Sequence, residues 1–480
     1  MLKRIAFLYI IVLIAAICAS GQDTDVVASS FHGAESATPA ATPNSSTAAP
    51  VALPPGLTPE IVQIATIGAK FDDLTPKMWN IPFPSAGDTV FQDEGGFRTK
   101  LAEHHIGFSM WNMQYYYNNV LRGSRHPQVF LGEKSTYVGF EPMFITYNIP
   151  SKKIQFVIGA IQWNATWATE GPRAFRLENL KMHQELLGGK FEWEAGYLGN
   201  DVSYYGNYTG GSVAGGTLGL NAVLPYEVGM NHSPFAVPGV NLKYKLSRNI
   251  YERFGVQRSI PIGGTAEEKQ DNLTGFRFMA KGARALFMNE IGYEQKSAPG
   301  VKQQWYRVTG WYNRMGFTDY RTPWYAAGKT DNNWALSVAG DRQLWQKNKY
   351  LPFQGVYVGA SAQYAPPQQN AYTQYYEARA YGFGLLPKRP LDMTTVVVSE
   401  TRFSNLARNF MQSVPPQYAG GNPQLGVTSY KGSSAIVASY LVHVHHGTNV
   451  NVGVNYTQHP AIAPRLNDAF VVQASLAQFF

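Results

Sequence analysis

The end of the chain, residues 449–480, alternates between apolar and polar side chains with a period of two. Val450 and Val452 project to one face, while Asn451 and Asn455 project to the other. Successive side chains of a β-strand point to opposite faces of the sheet, so this period is typical of a strand with one apolar and one polar face. The segment is therefore predicted to be an antiparallel hairpin.

Similar alternating runs recur along the chain before this hairpin. They include Phe191–Tyr197, Val240–Leu246, Gly355–Tyr364 and Ser434–Val442. Segments of about ten residues with one apolar face, separated by Gly, Pro and Asn turns, are typical of transmembrane barrels. Soluble sandwiches of this total length would need linkers between domains of about 100 residues, and the sequence shows no such internal linker. We predict an all-β fold, a transmembrane antiparallel β-barrel.

The first part of the chain has a different composition from the alternating part. Lys3 and Arg4 precede an apolar run, Ile5–Ile17, that is too short for a membrane-spanning helix of about 20 residues and predicts a signal peptide. An Ala/Thr/Ser/Pro-rich stretch follows and predicts a disordered linker, because it cannot bury a core. The predicted organisation is a signal peptide over residues 1–21, a linker over 22–57, a short helical periplasmic segment over 58–105 and the barrel over 106–480.

Composition agrees with a membrane barrel. Aromatic residues make up 14% of the chain and charged residues only 15%, whereas soluble domains carry about 25% charge. Aromatic girdles and an uncharged lipid-facing band explain both values. Without Lys3 and Arg4 the net charge is +6 (38 basic minus 32 acidic residues), and it is scattered, which argues against a nucleic-acid partner. Cys18, the one cysteine, falls in the predicted signal peptide, as suits an oxidising compartment.

The last residue, Phe480, looks like the C-terminal signal of bacterial outer-membrane barrels, although Gln478 stands where an apolar residue is usual. That similarity implies outer-membrane lipid around the barrel and recognition of the last strand by the barrel assembly machinery. It also implies that the last strand ends on the periplasmic side. The turn around residues 446–448 is then periplasmic, and the loop over residues 458–467 is extracellular.

Seven stretches resemble, in order, motifs of the carbohydrate-selective porin family (OprB type). They are Gly95–Gly107, Gly310–Asp319, Trp334–Trp345, Ala365–Asn370, Gly384–Asp392, Tyr456–Pro460 and Asn467–Val472. The resemblance covers roughly residues 90–480, matches poorly over 199–275, and has His459 where the family has Asn. It implies a 16-stranded bacterial outer-membrane barrel that lets mono- and oligosaccharides, glucose and related sugars among them, diffuse into the periplasm without a cofactor.

A sugar offers hydroxyl groups and apolar C–H faces but no charge, so a selective pore needs hydrogen-bonding groups and aromatic rings. The candidate channel residues on the polar strand faces are Trp305, Arg307, Trp311, Asp341, Glu377, Arg379, Glu192, Glu194, Lys243 and Lys245. Arg307 shares a face with both tryptophans, which suits a sugar. The alternative is structural: the tryptophans lie at opposite rims, Arg307 neutralises carboxylates, and Glu377 and Arg379 pair within the wall.

Other chemistry has weaker support in the sequence. His443, His445 and His446 form the one histidine cluster, but no carboxylate or cysteine lies beside them, so we predict no metal. No recognisable catalytic motif occurs, and we predict no enzyme activity. Two alternative functions stay open: a general or anion-leaning porin, and an outer-membrane lipid hydrolase for which His443 or His445 would be the first probe. Whether the pore is a monomer or a homotrimer also stays open.

Overall fold

The computed structural model describes residues 57–80, 85–121, 127–167, 173–205 and 223–480. The predicted signal peptide and all but the last residue of the predicted linker lie outside these ranges. Sixteen of the described strands close into a single antiparallel barrel. The predicted all-β, 16-stranded barrel with a short N-terminal helical segment is therefore confirmed.

The barrel strands follow one another around the wall in chain order. They are β1 Ile106–Asn119, β2 Thr136–Ile149, β3 Ile154–Ala165, β4 Ala174–Leu186, β5 Phe191–Leu198, β6 Val237–Lys245, β7 Ile250–Arg258, β8 Ala285–Gln295, β9 Gln304–Asn313, β10 Asn333–Asn348, β11 Leu351–Tyr364, β12 Tyr372–Phe383, β13 Met393–Phe403, β14 Gly432–His445, β15 Thr448–Gln458 and β16 Ala469–Phe479. A separate two-stranded ribbon joins Thr318–Asp319 to Gly328–Lys329.

The barrel closes between its first and last strands. Trp111 of β1 lies opposite Phe479 of β16, and the backbones of Met110 and Phe480 exchange hydrogen bonds of 3.0 and 2.8 Å. Closure matters in a bilayer because an open sheet edge would leave N–H and C=O groups unpaired in hydrocarbon. The C-terminal strand is thus the closing strand of the sheet.

Side chains of the terminal hairpin divide between lumen and outer surface as the alternation predicts. Asn451 and Gln473 are buried on the inner face, whereas Val452 is half exposed on the outer face. The ends of the barrel also differ. At one end, here the short-turn end, β14 and β15 are joined by residues 446–447 alone; at the opposite, long-loop end, residues 404–431 join β13 to β14. The short-turn end is the end predicted to face the periplasm.

The outer face near the closing seam is not uniformly apolar. The Asn112 amide donates to Gln478 Oε1 over 3.0 Å, and the Gln114 amide donates to Glu141 Oε1 over 2.8 Å. These side chains alternate with inward-facing ones, so they project outward. The unusual polar residue near the chain end, Gln478, therefore has a hydrogen-bond partner on β1, and Glu141 is an exception to the predicted uncharged outer band.

Helices occupy the N-terminal segment and the long connections. They are α1 Pro59–Phe71, α2 Phe97–Glu103, α3 Val223–Glu227, α4 Gly264–Asp271 and α5 Asn405–Ser413. Thr58 caps α1 by accepting a hydrogen bond from Ile61 N over 3.3 Å, and Pro59 occupies the first turn. Short 3-10 turns are Asp72–Leu74, Glu94–Gly96, Pro150–Lys152, Leu187–Gly189, Trp324–Ala326 and Pro416–Tyr418, and Asp201–Tyr205 forms a π-type turn. Within the ranges given above, no helix has the length and apolarity needed to cross a membrane.

The stretch after α1 enters the barrel at the short-turn end. The Trp79 ring meets the inward-facing rings of Trp111 and Phe144 edge-on, with centroids 5.9 and 5.2 Å away. Lys181 Nζ of β4 donates to Lys77 O over 3.0 Å. Residues 72–80, here called the N-terminal insert, therefore lie against the inner wall.

Candidate functional site

The described part of the connection between β5 and β6 folds into the lumen. Of this connection the structure describes residues 199–205 and 223–236. Its backbone meets the inner wall through Tyr204 O, which accepts from Arg307 Nη1 over 3.1 Å, and through Ser203 O, which accepts from the buried Arg253. The N-terminal insert reaches the same loop, because Asn80 N donates to Val202 O over 2.9 Å. We call these described residues, 199–205 and 223–236, the inner loop.

A second anchor of the inner loop is α3. Both carboxylate oxygens of Glu227 accept backbone hydrogen bonds of 3.0 Å, from Ala371 N and Tyr372 N at the start of β12. Leu224 and Val228 pack in an apolar cluster against the wall. Burial raises the pKa of the Glu227 carboxyl to about 8, and the two backbone N–H groups act in the opposite direction. The inner loop is thus held by both polar and apolar contacts.

Arg307 lies under the inner loop in a polar group on β8 and β9. Its guanidinium sits 4.2 Å from the centre of the Trp305 ring, and Nη1 lies 3.5 Å from Glu290 Oε2. Glu290 also accepts from Thr309 Oγ1 and the Tyr251 hydroxyl, each over 2.9 Å. Arg307 thus lies beside one indole, and its Nη1 contacts both a carboxylate and the inner loop.

Trp311 lies apart from this group although it shares the strand face with Trp305. Its indole Nε1 contacts Met230 Sδ at 3.1 Å, and the side chain belongs to the apolar cluster under α3. Only 3% of the residue is exposed. The structure therefore places Trp305 beside Arg307 and Trp311 beneath the inner loop.

Asp341, Glu377 and Arg379 form a second charged group on the inner wall. Arg379 makes a two-pronged contact with Asp341, through Nε at 2.8 Å and Nη2 at 2.6 Å, and its Nη1 also pairs with Glu377. Tyr381 donates to Asp341 Oδ1 over 3.0 Å. The three charged side chains are almost fully buried, so the two carboxylates share one guanidinium within the wall.

The four remaining candidates lie on β5 and β6 toward the short-turn end. Glu192 pairs with Lys245 Nζ at 3.1 Å, and Lys243 Nζ lies 4.9 Å from the centre of the Tyr251 ring. Glu194 is buried, pairs with Lys181 and accepts from the Asn241 amide over 2.7 Å. Lys245 is the exposed member, with 44% of its side chain accessible. All ten candidates thus face inward: nine belong to the three groups described, and Trp311 lies apart from them beneath the inner loop.

A cavity of about 320 Å³ lies on a different part of the inner wall, at the long-loop end. Its hydrogen-bonding side chains include Ser399, Thr401, Ser433, Asn455 and Thr457 from β13 to β15, and its rings include Tyr117, Phe130, Trp167, Tyr372 and Phe403. Among the described residues that line it, none is charged. We call it the neutral cavity, and its surface combines hydroxyl and amide groups with aromatic rings.

Sequence reasoning missed several of these residues. Glu290 and Arg253 lie on inward positions of β8 and β7 and are fully buried, so a systematic search for charges on the polar face of every strand would have found them. The neutral cavity has no such signal, because Ser and Thr are common on any polar strand face. Its residues come together only when strand register and loop positions are known.

A closed 16-stranded barrel with polar inner walls and a loop folded inside defines an outer-membrane porin. The family model for carbohydrate-selective porins, OprB family, matches residues 151–475. The chain therefore belongs to the OprB family of carbohydrate-selective porins, and it is a porin of the bacterial outer membrane. The family and the fold are those of a channel. No curated protein matches the sequence.

Solved porin structures share this fold. The high-pH structure of Pseudomonas putida OprB aligns with a TM-score of 0.67 at 13% identity, covering 82% of this chain and 98% of that one. The low-pH structure of the same protein aligns with a TM-score of 0.50 at 12% identity over the same shares of the two chains. At these identities the likeness supports the fold, and the details of the pore are argued from this chain's own residues.

Proposed function

We propose that small neutral sugars, glucose and related monosaccharides first, pass through the lumen into the periplasm and bind transiently in the neutral cavity. The observation that carries this proposal is the composition of that cavity, which offers hydroxyl and amide groups and aromatic rings without a charged side chain. Sugar hydroxyls can exchange hydrogen bonds with the hydroxyl and amide groups of the cavity, and sugar C–H faces can pack on its aromatic rings. Its position at the long-loop end suits first contact with sugar from outside.

Weak binding is part of this mechanism. A permeating solute has to enter a site favourably and still leave it quickly. Single hydrogen bonds contribute only about 0.5–1.5 kcal/mol net, so a few of them beside aromatic rings give a short-lived site. We infer that the cavity enriches sugar near the wall and does not trap it.

The charged groups support a structural role beside this site. Arg379 has two carboxylate partners, and Arg307 has Glu290 and a backbone carbonyl. Charges paired in this way have little capacity left for a passing anion, which favours sugar passage over the anion-leaning alternative. We propose that the ten predicted channel residues mainly hold the wall and the inner loop, and that Lys245 is the one most available to solutes.

The test of the neutral cavity removes one hydroxyl from it. Thr401 and Thr395 both lie on inward positions of β13, but only Thr401 lines the cavity. In planar bilayers, glucose should reduce the ion current through the wild type, and Thr401→Val should weaken that block about fivefold, the equivalent of about 1 kcal/mol for one hydrogen bond. Thr395→Val is the matched control, and glucose should reduce the ion current through it as much as through the wild type.

Two outcomes would contradict the proposal. If glucose leaves the ion current of the wild type unchanged, the sugar site is absent and a general porin is the better description. If both valine variants weaken the block equally, sugar binds elsewhere in the lumen. Liposome swelling over monosaccharides and disaccharides then defines which sugars pass.

We also propose that β16, which ends next to Phe480, is the strand recognised by the barrel assembly machinery. Its support is that β16 pairs along its whole length with β15 and β1 and so completes the sheet. Replacing Phe480 with Ser should lower the yield of folded barrel in membranes without changing the conductance of the barrels that form.

Cross-linking of the membrane-inserted protein would decide between monomer and homotrimer.

A further inference from the structure

The short-turn end carries a histidine cluster that meets the N-terminal helix. The rings of His445 and His446, beside the turn from β14 to β15, lie 4.5 Å apart. Glu60 of α1 approaches them, with its Oε1 3.7 Å from His446 Nδ1. One potential ligand atom from each of these three residues lies within 4.8 Å of the other two. No carboxylate was expected here from the sequence, because Glu60 is remote along the chain.

One separation in this group is close to that of a metal site. Two ligands at 2.0–2.1 Å from a tetrahedral Zn²⁺ lie about 3.4 Å apart. Contraction of the 3.7 Å distance between Glu60 and His446 by a few tenths of an ångström would reach this value. His446 Nδ1 is buried and makes no hydrogen bond, which leaves its lone pair available to a cation.

A third histidine lies near the same carboxylate and has a hydrogen-bond partner of its own. His443 Nδ1 lies 4.0 Å from the same Glu60 oxygen, and His443 Nε2 is hydrogen-bonded to Asp88 Oδ1 at 2.9 Å. Metal-binding histidines commonly have their second nitrogen held by a carboxylate, which orients the ring and raises its basicity. Asp88 also accepts from Gly447 N over 2.8 Å, so the carboxylate is itself held in place.

We propose that Glu60, His445 and His446, with His443 as the fourth ligand, bind a divalent cation of the zinc class. Imidazole ligands suit Zn²⁺, Cu²⁺ and Ni²⁺, whereas Ca²⁺ and Mg²⁺ prefer all-oxygen sites. The cation would join α1 to the turn between β14 and β15. Because the N-terminal insert follows α1 directly, this metal clasp would fix the insert in the mouth of the barrel.

The test measures Zn²⁺ binding by the full-length folded chain in detergent, prepared without a histidine tag. Titration calorimetry should give one Zn²⁺ per chain. Glu60→Gln and His446→Ala should each weaken binding by at least about tenfold, as should Asp88→Asn through its effect on His443. The matched control is His104→Ala with His105→Ala, an adjacent exposed histidine pair at the end of α2, and it should bind like the wild type.

A second readout measures how firmly the cation holds α1 against the turn between β14 and β15. Lys70 is exposed in the last turn of α1, so trypsin cleavage after it reports how firmly the helix is held. Zn²⁺ should slow this cleavage in the wild type and in the His104/His105 control but not in Glu60→Gln. Circular dichroism confirms that each variant keeps its strand content.

The proposal fails if the wild type binds no Zn²⁺, which would leave the cluster as ion pairs between protonated histidines and Glu60. It also fails if binding survives both Glu60→Gln and His446→Ala, since the cation would then be adventitious. Equal binding of Ca²⁺ at the same concentration would likewise contradict an imidazole site.

Discussion

At the residue scale, the buried group of Asp341, Glu377 and Arg379 shows which contacts the alternation of a strand can predict and which it cannot. Glu377 and Arg379 lie two positions apart on β12, so the sequence could suggest that they pair. Asp341 could not be assigned to them, because it lies on β10 and meets Arg379 across β11. Gly359 of β11 pairs with both residues, and a Cβ there would lie 2.3 Å from Asp341 Oδ1. The contact depends on the register of three strands.

Removing the Arg379 guanidinium should therefore be costly. Arg379→Met leaves Asp341 and Glu377 buried without their cation, and such a change costs about 3–5 kcal/mol. We expect a lower urea midpoint for the folded barrel in detergent, followed by tryptophan fluorescence. Arg342→Met, on an exposed outward position of β10, is the control and should shift the midpoint little. Equal shifts in the two variants would show that the group does not stabilise the wall.

At the scale of elements, local pattern predicted the strands and α1 but not the contacts that hold the inner loop in place. Strands such as β15 follow from alternation, and α1 follows from the cap at Thr58 and the proline after it. The inner loop has no period, and its anchor Glu227 contacts the backbone of Ala371 and Tyr372, far along the chain. Contacts from a side chain to a distant backbone leave no mark in the sequence, so this part of the site needed the structure.

The Glu227 anchor should make the inner loop sensitive to pH. Burial raises the pKa of this carboxyl from its ordinary value of 4.5 to about 8, so the folded state holds a proton that the released loop would lose. The contribution of this anchor to the stability of the inner loop is therefore largest below about pH 4.5. It decreases as the pH rises toward 8 and stays constant above pH 8. Fluctuations of the single-channel current should accordingly increase between pH 5 and pH 8.

Glu227→Gln tests this assignment, because glutamine does not titrate. The variant should show current fluctuations that are nearly independent of pH between 5 and 8. Glu103→Gln, an exposed position at the end of α2, should keep the dependence of the wild type. If the current fluctuations of Glu227→Gln still depend on pH, another group controls the inner loop.

At the scale of the whole molecule, solutes meet elements from both ends of the barrel. The inner loop covers part of the wall from the long-loop end, and the N-terminal insert enters from the short-turn end. The two meet where Asn80 N donates to Val202 O, and the Asn80 amide also donates to Glu290 Oε1 of the wall over 3.3 Å. The sequence predicted a helical segment before β1, but its alternation carried no information on where that segment lies.

If the insert narrows the lumen, Trp79 is the side chain whose loss should matter most. An aromatic side chain of this size covers about 150–250 Å², and Trp79 packs on Trp111 and Phe144 inside the mouth. Trp79→Ala should raise single-channel conductance measurably and leave glucose block unchanged, because the neutral cavity lies at the opposite end. Trp334→Ala, on the outer face of β10, removes the same ring without touching the lumen and should conduct like the wild type. Unchanged conductance in Trp79→Ala would mean that the insert lies outside the conducting path, and the inner loop alone would then set the width of the pore.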